Sequence, residues 1–190
     1  MKKTVLITII SIGILLLFAN CRKVGSCGIC YEYVEIKSFT RIYSELNKKN
    51  GVYFIKGVVL SEHGGGNKIE VTEDLRGNFG GKSHISVWYC GYPYPKNDTL
   101  IMPIGKCEGE GPNGINYDYE SVMNAYSILT LSNGYVRGNI LSKEDKWLKS
   151  LSQKEQASIL RSVSVDEDWG QIMPYDEFQK LLKTIKNKKL

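Results

Sequence analysis

Hydrophobic spacing changes character twice along the chain. Phe39, Ile42, Tyr43 and Leu46 stand at i, i+3, i+4 and i+7, one face of a helix, with Ser38 placed to cap it and Asn50-Gly51 to stop it. Residues 31–36, just before, read as extended. From Val52 the pattern shifts: segments 52–61, 68–75, 84–90 and 99–104 are short and rich in β-branched or aromatic residues. Clusters of Gly, Asn and Pro (HGGGN, RGNFGGK, GYPYPKND and GEGPNG) separate them. Segments 126–132 and 135–140 flank Asn133-Gly134, and because both residues tolerate positive φ, the pair predicts a hairpin. Gly57, inside the first strand, predicts a bulge or bend. Roughly six short strands at this spacing predict a closed or nearly closed antiparallel barrel, not a parallel sheet.

Past residue 141 the helical spacing returns. Ser142-Lys143-Glu144-Asp145 and Ser152-Gln153-Lys154-Glu155 both have the capping-box pattern. Trp147, Leu148 and Leu151 form one short apolar face; Ala157, Ile159, Leu160 and Val163 form a second. Pro174 opens a last helix with a stripe of Phe178, Leu181, Leu182 and Ile185. Lys183, Lys186, Lys188 and Lys189 crowd its end, where cations suit the helix dipole. The expected architecture is mainly β, α+β overall: a five-to-six-stranded barrel within 27–141, one helix on its N-terminal side, and two or three helices in 142–190.

The amino terminus follows neither spacing. Lys2 and Lys3 precede an unbroken apolar or hydroxyl run over 4–19, shorter than the ~20 residues that span a bilayer. A charged start and a short apolar core are the pattern of an export signal, and a buried amphipathic helix would need a polar face that this run lacks. Phe18-Ala19-Asn20-Cys21 resembles the lipobox of bacterial lipoproteins. That resemblance implies cleavage before Cys21 and a diacylglycerol on its thiol, each buried methylene adding ~0.8 kcal/mol of membrane affinity. Val24-Gly25-Ser26-Cys27 is a rival site with smaller residues, but Arg22 and Lys23 separate it from the apolar run. The chain has five cysteines, at 21, 27, 30, 90 and 107. Lipidation at Cys21 leaves four, enough for two disulfides in an oxidising envelope, whereas lipidation at Cys27 leaves an odd set. The expected order is a signal peptide at 1–20, a tether at 21–26 headed by lipidated Cys21, and a domain on the periplasmic or outer side of a membrane.

Composition narrows the partners. Lys and Arg total 25 against 20 Asp and Glu, a formal +5 that falls to +3 when Lys2 and Lys3 leave with the signal. So small an excess gives no reason to expect nucleic acid. The expected partners are the membrane, through acyl chains on Cys21, and an extracytoplasmic protein, peptide or glycan. No cofactor and no metal are expected.

After the tether, Cys27-Gly28-Ile29-Cys30 is followed by the helix-like segment and Phe54-Ile55-Lys56-Gly57-Val58-Val59. Ile69-Glu70-Val71-Thr72-Glu73-Asp74-Leu75-Arg76-Gly77 comes next, then Cys90-Gly91, then Ile104-Gly105-Lys106-Cys107-Glu108-Gly109-Glu110-Gly111. This order of motifs resembles the netrin-like domain, and within it the N-terminal domain of tissue inhibitors of metalloproteinases. The resemblance covers about 27–140 and implies a five-stranded OB-type barrel. Two departures stand out. The opening is one residue longer than the family's Cys-x-Cys, and Leu131-Ser132 stands where the family's second bridge reaches a late hairpin. By analogy the resemblance implies Cys27–Cys90 and Cys30–Cys107 bridges, while four cysteines by themselves allow three connectivities. In the inhibitors the amino group and carbonyl of the first cysteine chelate the protease zinc. Cys27 matches that position, but cleavage before Cys21 turns its nitrogen into an amide, so inhibition requires processing that exposes Cys27.

The remaining chemistry-bearing motifs are incomplete. Cys27 and Cys30 have thioredoxin-type spacing, which makes an envelope thiol–disulfide oxidoreductase a further alternative, but no βαβ pattern accompanies them. Cys90 and Cys107 lack the second Cys-x-x-Cys of a zinc site. His63-Gly64-Gly65-Gly66 matches the oxyanion loop of some esterases, yet there is no Gly-x-Ser-x-Gly elbow and no base beyond His84; a tight hairpin loop is expected instead. Asp166-Glu167-Asp168 and Glu108-x-Glu110 are acidic without a full EF-hand pattern. No catalytic residue is assigned, and the chain reads as a non-enzymatic binding module. Trp88 and Tyr89 alternate along a strand, so one of them is expected to face solvent. Tyr92 and Tyr94 follow in GYPYP, and Tyr-rich loops at a barrel rim suit binding. Trp88, Tyr92, Tyr94 and Asn113 are the expected contact surface.

Overall fold

A computed structural model describes residues 38–46, 51–89, 93–107, 110–111, 114–122, 128–166 and 170–188. The signal, Cys21, the tether, Cys27, Cys30, segment 31–36, Cys90, Tyr92, Glu108, Asn113 and residues 167–169 lie outside them.

Five strands close a barrel: β1 (Val52–His63), β2 (Gly66–Asp74), β3 (His84–Trp88), β4 (Thr99–Lys106) and β5 (Tyr119–Ser121). Their order around the barrel is β1-β2-β3-β5-β4, and β4 pairs back onto β1 from Val52 opposite Gly105 to Val58 opposite Thr99. One junction, β3–β5, is parallel, which corrects the expectation of antiparallel pairing throughout. Closure forces it, because five strands that alternate in direction around a ring must leave one like-directed pair.

The outer half of β4 carries the sheet onward. β6 (Leu129–Ser132) pairs with Thr99–Ile101 of β4, and β7 (Tyr135–Gly138), β9 (Gly170–Pro174) and β8 (Ser164–Asp166) follow in that order. Asn133 and Gly134 turn β6 into β7 with φ of +52° and +78°. Strands β8 and β9 correct the reading of 142–190 as helical alone; at three and five residues they are too short to show a period. The described helices are α1 (Phe39–Glu45), α2 (Lys146–Lys149), α3 (Gln153–Arg161) and α4 (Tyr175–Asn187).

Strands β1 and β4 bury both faces, which is why they read as nearly continuous apolar runs. Ile55, Val59, Leu100, Met102 and Ile104 fill the barrel together with Ile69, Ile85, Val87 and Tyr89. Phe54 and Ile101 face a second core, built with Phe39, Ile42 and Tyr43 of α1, Trp147 of α2, and the Phe178, Leu181, Leu182 and Ile185 stripe of α4. Gly57 lies at a register break between β1 and β2. A Cβ there would come within 2.4 Å of the Ile69 side chain, so the expected bulge is also a point of close approach.

Polar groups lock the helical layer to the barrel. The Ser38 side chain caps α1 by accepting the Arg41 N–H. Fully buried Asp145 accepts from Ser38 Oγ at 2.7 Å, Thr40 Oγ1 at 2.8 Å and the Ser142 N–H at 3.0 Å. Ser142 to Asp145 therefore forms only the back-bonding half of a capping box. Its carboxylate is committed to α1, and α2 begins at Lys146. Ser152 to Glu155 forms the complete box at α3. The Arg76 guanidinium lies 3.9 Å from the Phe54 ring centroid and donates to the carbonyls of Tyr43 and Leu46, closing the end of α1. Glu73 holds α4 against β2: it accepts from the Tyr175 hydroxyl at 2.6 Å and Gln179 Nε2 at 3.2 Å, and pairs with Lys56. Burial pushes the Glu73 carboxyl up, but the hydrogen bonds from Lys56, Tyr175 and Gln179 and the Lys56 charge outweigh it, leaving the group below its ordinary range.

Candidate binding site

The end of the barrel where β1 finishes and β2 starts is sealed from within. Buried Asn67 donates to the carbonyls of Tyr94 at 3.0 Å and Ser61 at 3.3 Å, and accepts the Tyr94 N–H at 2.9 Å. The Tyr94 N–H also reaches the Tyr89 hydroxyl oxygen at 3.1 Å, and the two rings meet edge to face at 5.3 Å. Burial raises both phenols above their ordinary range. Trp88 turns to the other side of β3 and packs on Tyr117, whose hydroxyl points to the carbonyls of His63 at 3.0 Å and Gly64 at 2.8 Å. Trp88 and Tyr89 are thus both buried, which corrects the expectation that one faces solvent. The barrel core covers one side of β3, and the segment leading into β5 covers the other. His63 to Gly66 is the tight turn between β1 and β2, with Gly64 and Gly65 at positive φ.

Of the four expected contact residues, Trp88 is buried, Tyr94 is half-buried against the barrel core, and Tyr92 and Asn113 lie outside the described residues. The structure brings together a different set at the opposite end, where β1, β3 and β5 begin and β2 and β4 finish. There the β2–β3 connection runs beside the barrel mouth. Phe79 from this connection meets Tyr53 of β1 at 5.3 Å and Tyr119 of β5 at 5.6 Å, and the two tyrosines stand 6.1 Å apart and perpendicular. All three rings are half-buried against the barrel core. Asp74 fixes the connection by accepting the N–H groups of Arg76 at 3.0 Å and Phe79 at 2.5 Å. At Gly81 a Cβ would come within 2.4 Å of the Phe79 ring, so the absent side chain makes room for the aromatic group.

Beside these rings lies a cleft of about 490 Å³, a volume in the range of small-ligand sites. Tyr53, Ile85 and Tyr119 give it apolar walls; Lys82, Lys106 and Asp118 give it polar ones, with Gly80 and Gly81 between. Lys82 and Lys106 are exposed and have no hydrogen bond or ion pair among the described residues. Asp118 is occupied, accepting the Ser86 N–H at 2.7 Å and the Ser86 hydroxyl at 2.8 Å. Burial raises this carboxyl, but the Ser86 bonds and the Lys82 charge outweigh it and set it below its ordinary range. The arrangement can stack a ring or apolar face and neutralise an anion.

Sequence reading missed Tyr53, Phe79, Lys82, Lys106 and Tyr119 as a group. The available signal was Phe79 and Lys82 inside RGNFGGK, a stretch that reads as a separator between strands. Among the described residues no group of three or more His, Cys, Asp or Glu is arranged to hold a metal ion, and no helix is long and apolar enough to cross a membrane. Cys107 is disulfide-bonded, to a partner outside the described residues. No protein-family model matches the chain, and neither does any curated protein or solved structure.

Proposed function

We propose that the chain is a membrane-anchored envelope lipoprotein whose barrel, of the OB type, is a non-enzymatic binding module that takes its ligand at the mouth beside Tyr53, Phe79 and Tyr119. The circular order β1-β2-β3-β5-β4 with its parallel β3–β5 junction supports the OB reading, alongside the netrin-like order of motifs. Acylated Cys21 provides the anchor, and Cys27–Cys90 and Cys30–Cys107 bridges staple the domain. The observation that carries the binding role is the mouth itself. Three half-buried rings there stand beside two exposed ammonium groups, with Asp118 the one carboxylate in the cleft lining. Rings offer contact area at low entropic cost, and exposed surface charges add little to the stability of the fold.

Gly80→Trp tests the site. Gly80 lines the cleft, is not at positive φ, and a Cβ there meets nothing within 4 Å, so an indole can be placed at the cleft wall without backbone strain. The full-length protein is presented to immobilised panels of glycans and peptides. Capture of a partner by wild type and its loss in Gly80→Trp, at unchanged melting temperature, is the expected result; equal capture by both proteins moves the site elsewhere. Intact-mass and peptide mapping of native protein tests the anchor. Acylated Cys21 as residue one with Cys27, Cys30, Cys90 and Cys107 oxidised is expected, whereas free thiols at Cys27 and Cys30 favour redox chemistry.

A further inference from the structure

We infer that the barrel mouth recognises a carboxylated sugar, an acidic residue of a glycan, an inference that rests on reading the mouth as the ligand site. Charge is the first reason. Lys82 and Lys106 face a cleft whose single carboxylate, Asp118, already accepts two hydrogen bonds from Ser86, so positive charge is in excess. Lys82 acts on the Asp118 carboxylate, while Lys106 has no ion pair among the described residues, so the cleft lining keeps one positive charge more than it has carboxylates for an anion to meet.

Shape is the second reason. An extended peptide would bind best by adding a strand, which needs a free row of backbone groups. At the mouth β1 is paired with β4 (Val52 opposite Gly105), and β4 with β5 (Lys106 opposite Tyr119), so these three strands offer no edge there and their share of recognition falls to side chains. Tyr53 stands perpendicular to Tyr119 at 89° and to Phe79 at 75°, which offers a ring face next to ring edges. A pyranose presents the complementary surface: an apolar C–H face for the ring, hydroxyls around its rim, and in an acidic sugar a carboxylate for the lysines. The cleft has room for on the order of one or two such rings.

Titration calorimetry on the full-length protein tests this with three probes: an oligogalacturonate, the same oligosaccharide with its carboxyl groups reduced to alcohols, and a glutamate-rich peptide. Wild type, Gly80→Trp and the Lys82→Gln/Lys106→Gln double variant are compared, each checked by urea melt. The expected result is oligogalacturonate binding that weakens about tenfold or more on carboxyl reduction and in the double variant. Gly80→Trp abolishes it, and added salt weakens it. Equal binding of the reduced oligosaccharide, stronger binding of the peptide, or no oligogalacturonate binding overturns the ligand class. Where Gly80→Trp still blocks whichever probe binds, the mouth remains the site; where it leaves binding unchanged, the mouth reading itself fails.

Discussion

Both ends of the barrel are rich in tyrosine, but they treat their polar atoms differently. At one end Asn67, Tyr89 and Tyr94 satisfy one another, and no charged side chain takes part. At the other, Tyr53, Phe79 and Tyr119 leave part of each ring open beside Lys82 and Lys106, which are exposed and make no hydrogen bond among the described residues. The first arrangement is what a barrel needs to exclude water from its core. The second leaves unmet interactions at a surface, which is what a binding site requires. The density of aromatic residues along the chain does not separate the two cases; internal hydrogen bonding does.

Substitutions at the two ends should diverge, and the largest effect belongs to the sealed end. Tyr89→Ala removes a ring that is 1% exposed and is expected to cost about 3–5 kcal/mol by urea denaturation. Asn67→Ala removes the donor to the Tyr94 and Ser61 carbonyls and leaves the Tyr94 N–H with the Tyr89 hydroxyl alone, with an expected cost of about 1–3 kcal/mol and no change in ligand affinity under conditions where the protein stays folded. At the mouth, Phe79→Ala is expected to cost only about 1 kcal/mol of stability while removing most ligand affinity, read by calorimetry. A stability loss there as large as at Tyr89 would make both ends plugs.

The smallest effect concerns acid. The Glu73 carboxyl sits below its ordinary range in the folded protein, so its contribution is present above the unfolded-state value, about pH 4, and disappears as pH falls through the folded-state value. Thermal melts stepped from neutral pH downward should show a decline that is shallower in Glu73→Gln. The group is partly exposed, so solvent screening keeps the difference small. An identical slope in both proteins would show that Glu73 does not couple α4 to the barrel.

Much of the fold was legible where one local rule sufficed. The spacing from Phe39 to Leu46, the Asn133-Gly134 turn, the bulge at Gly57, the Ser152–Glu155 box and the stripe from Phe178 to Ile185 each rest on residues within a short window. Strands β5 and β8, at three residues each, fall below any readable period, and the parallel β3–β5 junction is a property of ring closure. The mouth escaped for a related reason. Tyr53, Phe79 and Tyr119 come from three separate segments and form a cluster only once the barrel closes. The covering of Trp88 by Tyr117 and the tie from Asn67 to the Tyr94 backbone are likewise long-range.

Amide-shift mapping by NMR during titration with the oligogalacturonate tests most directly whether the open end does the binding. Perturbations confined to the residues around Tyr53, Phe79, Lys82, Lys106 and Tyr119 are expected. Perturbations centred on Asn67, Trp88 and Tyr94, with the open end unmoved, would contradict the assignment.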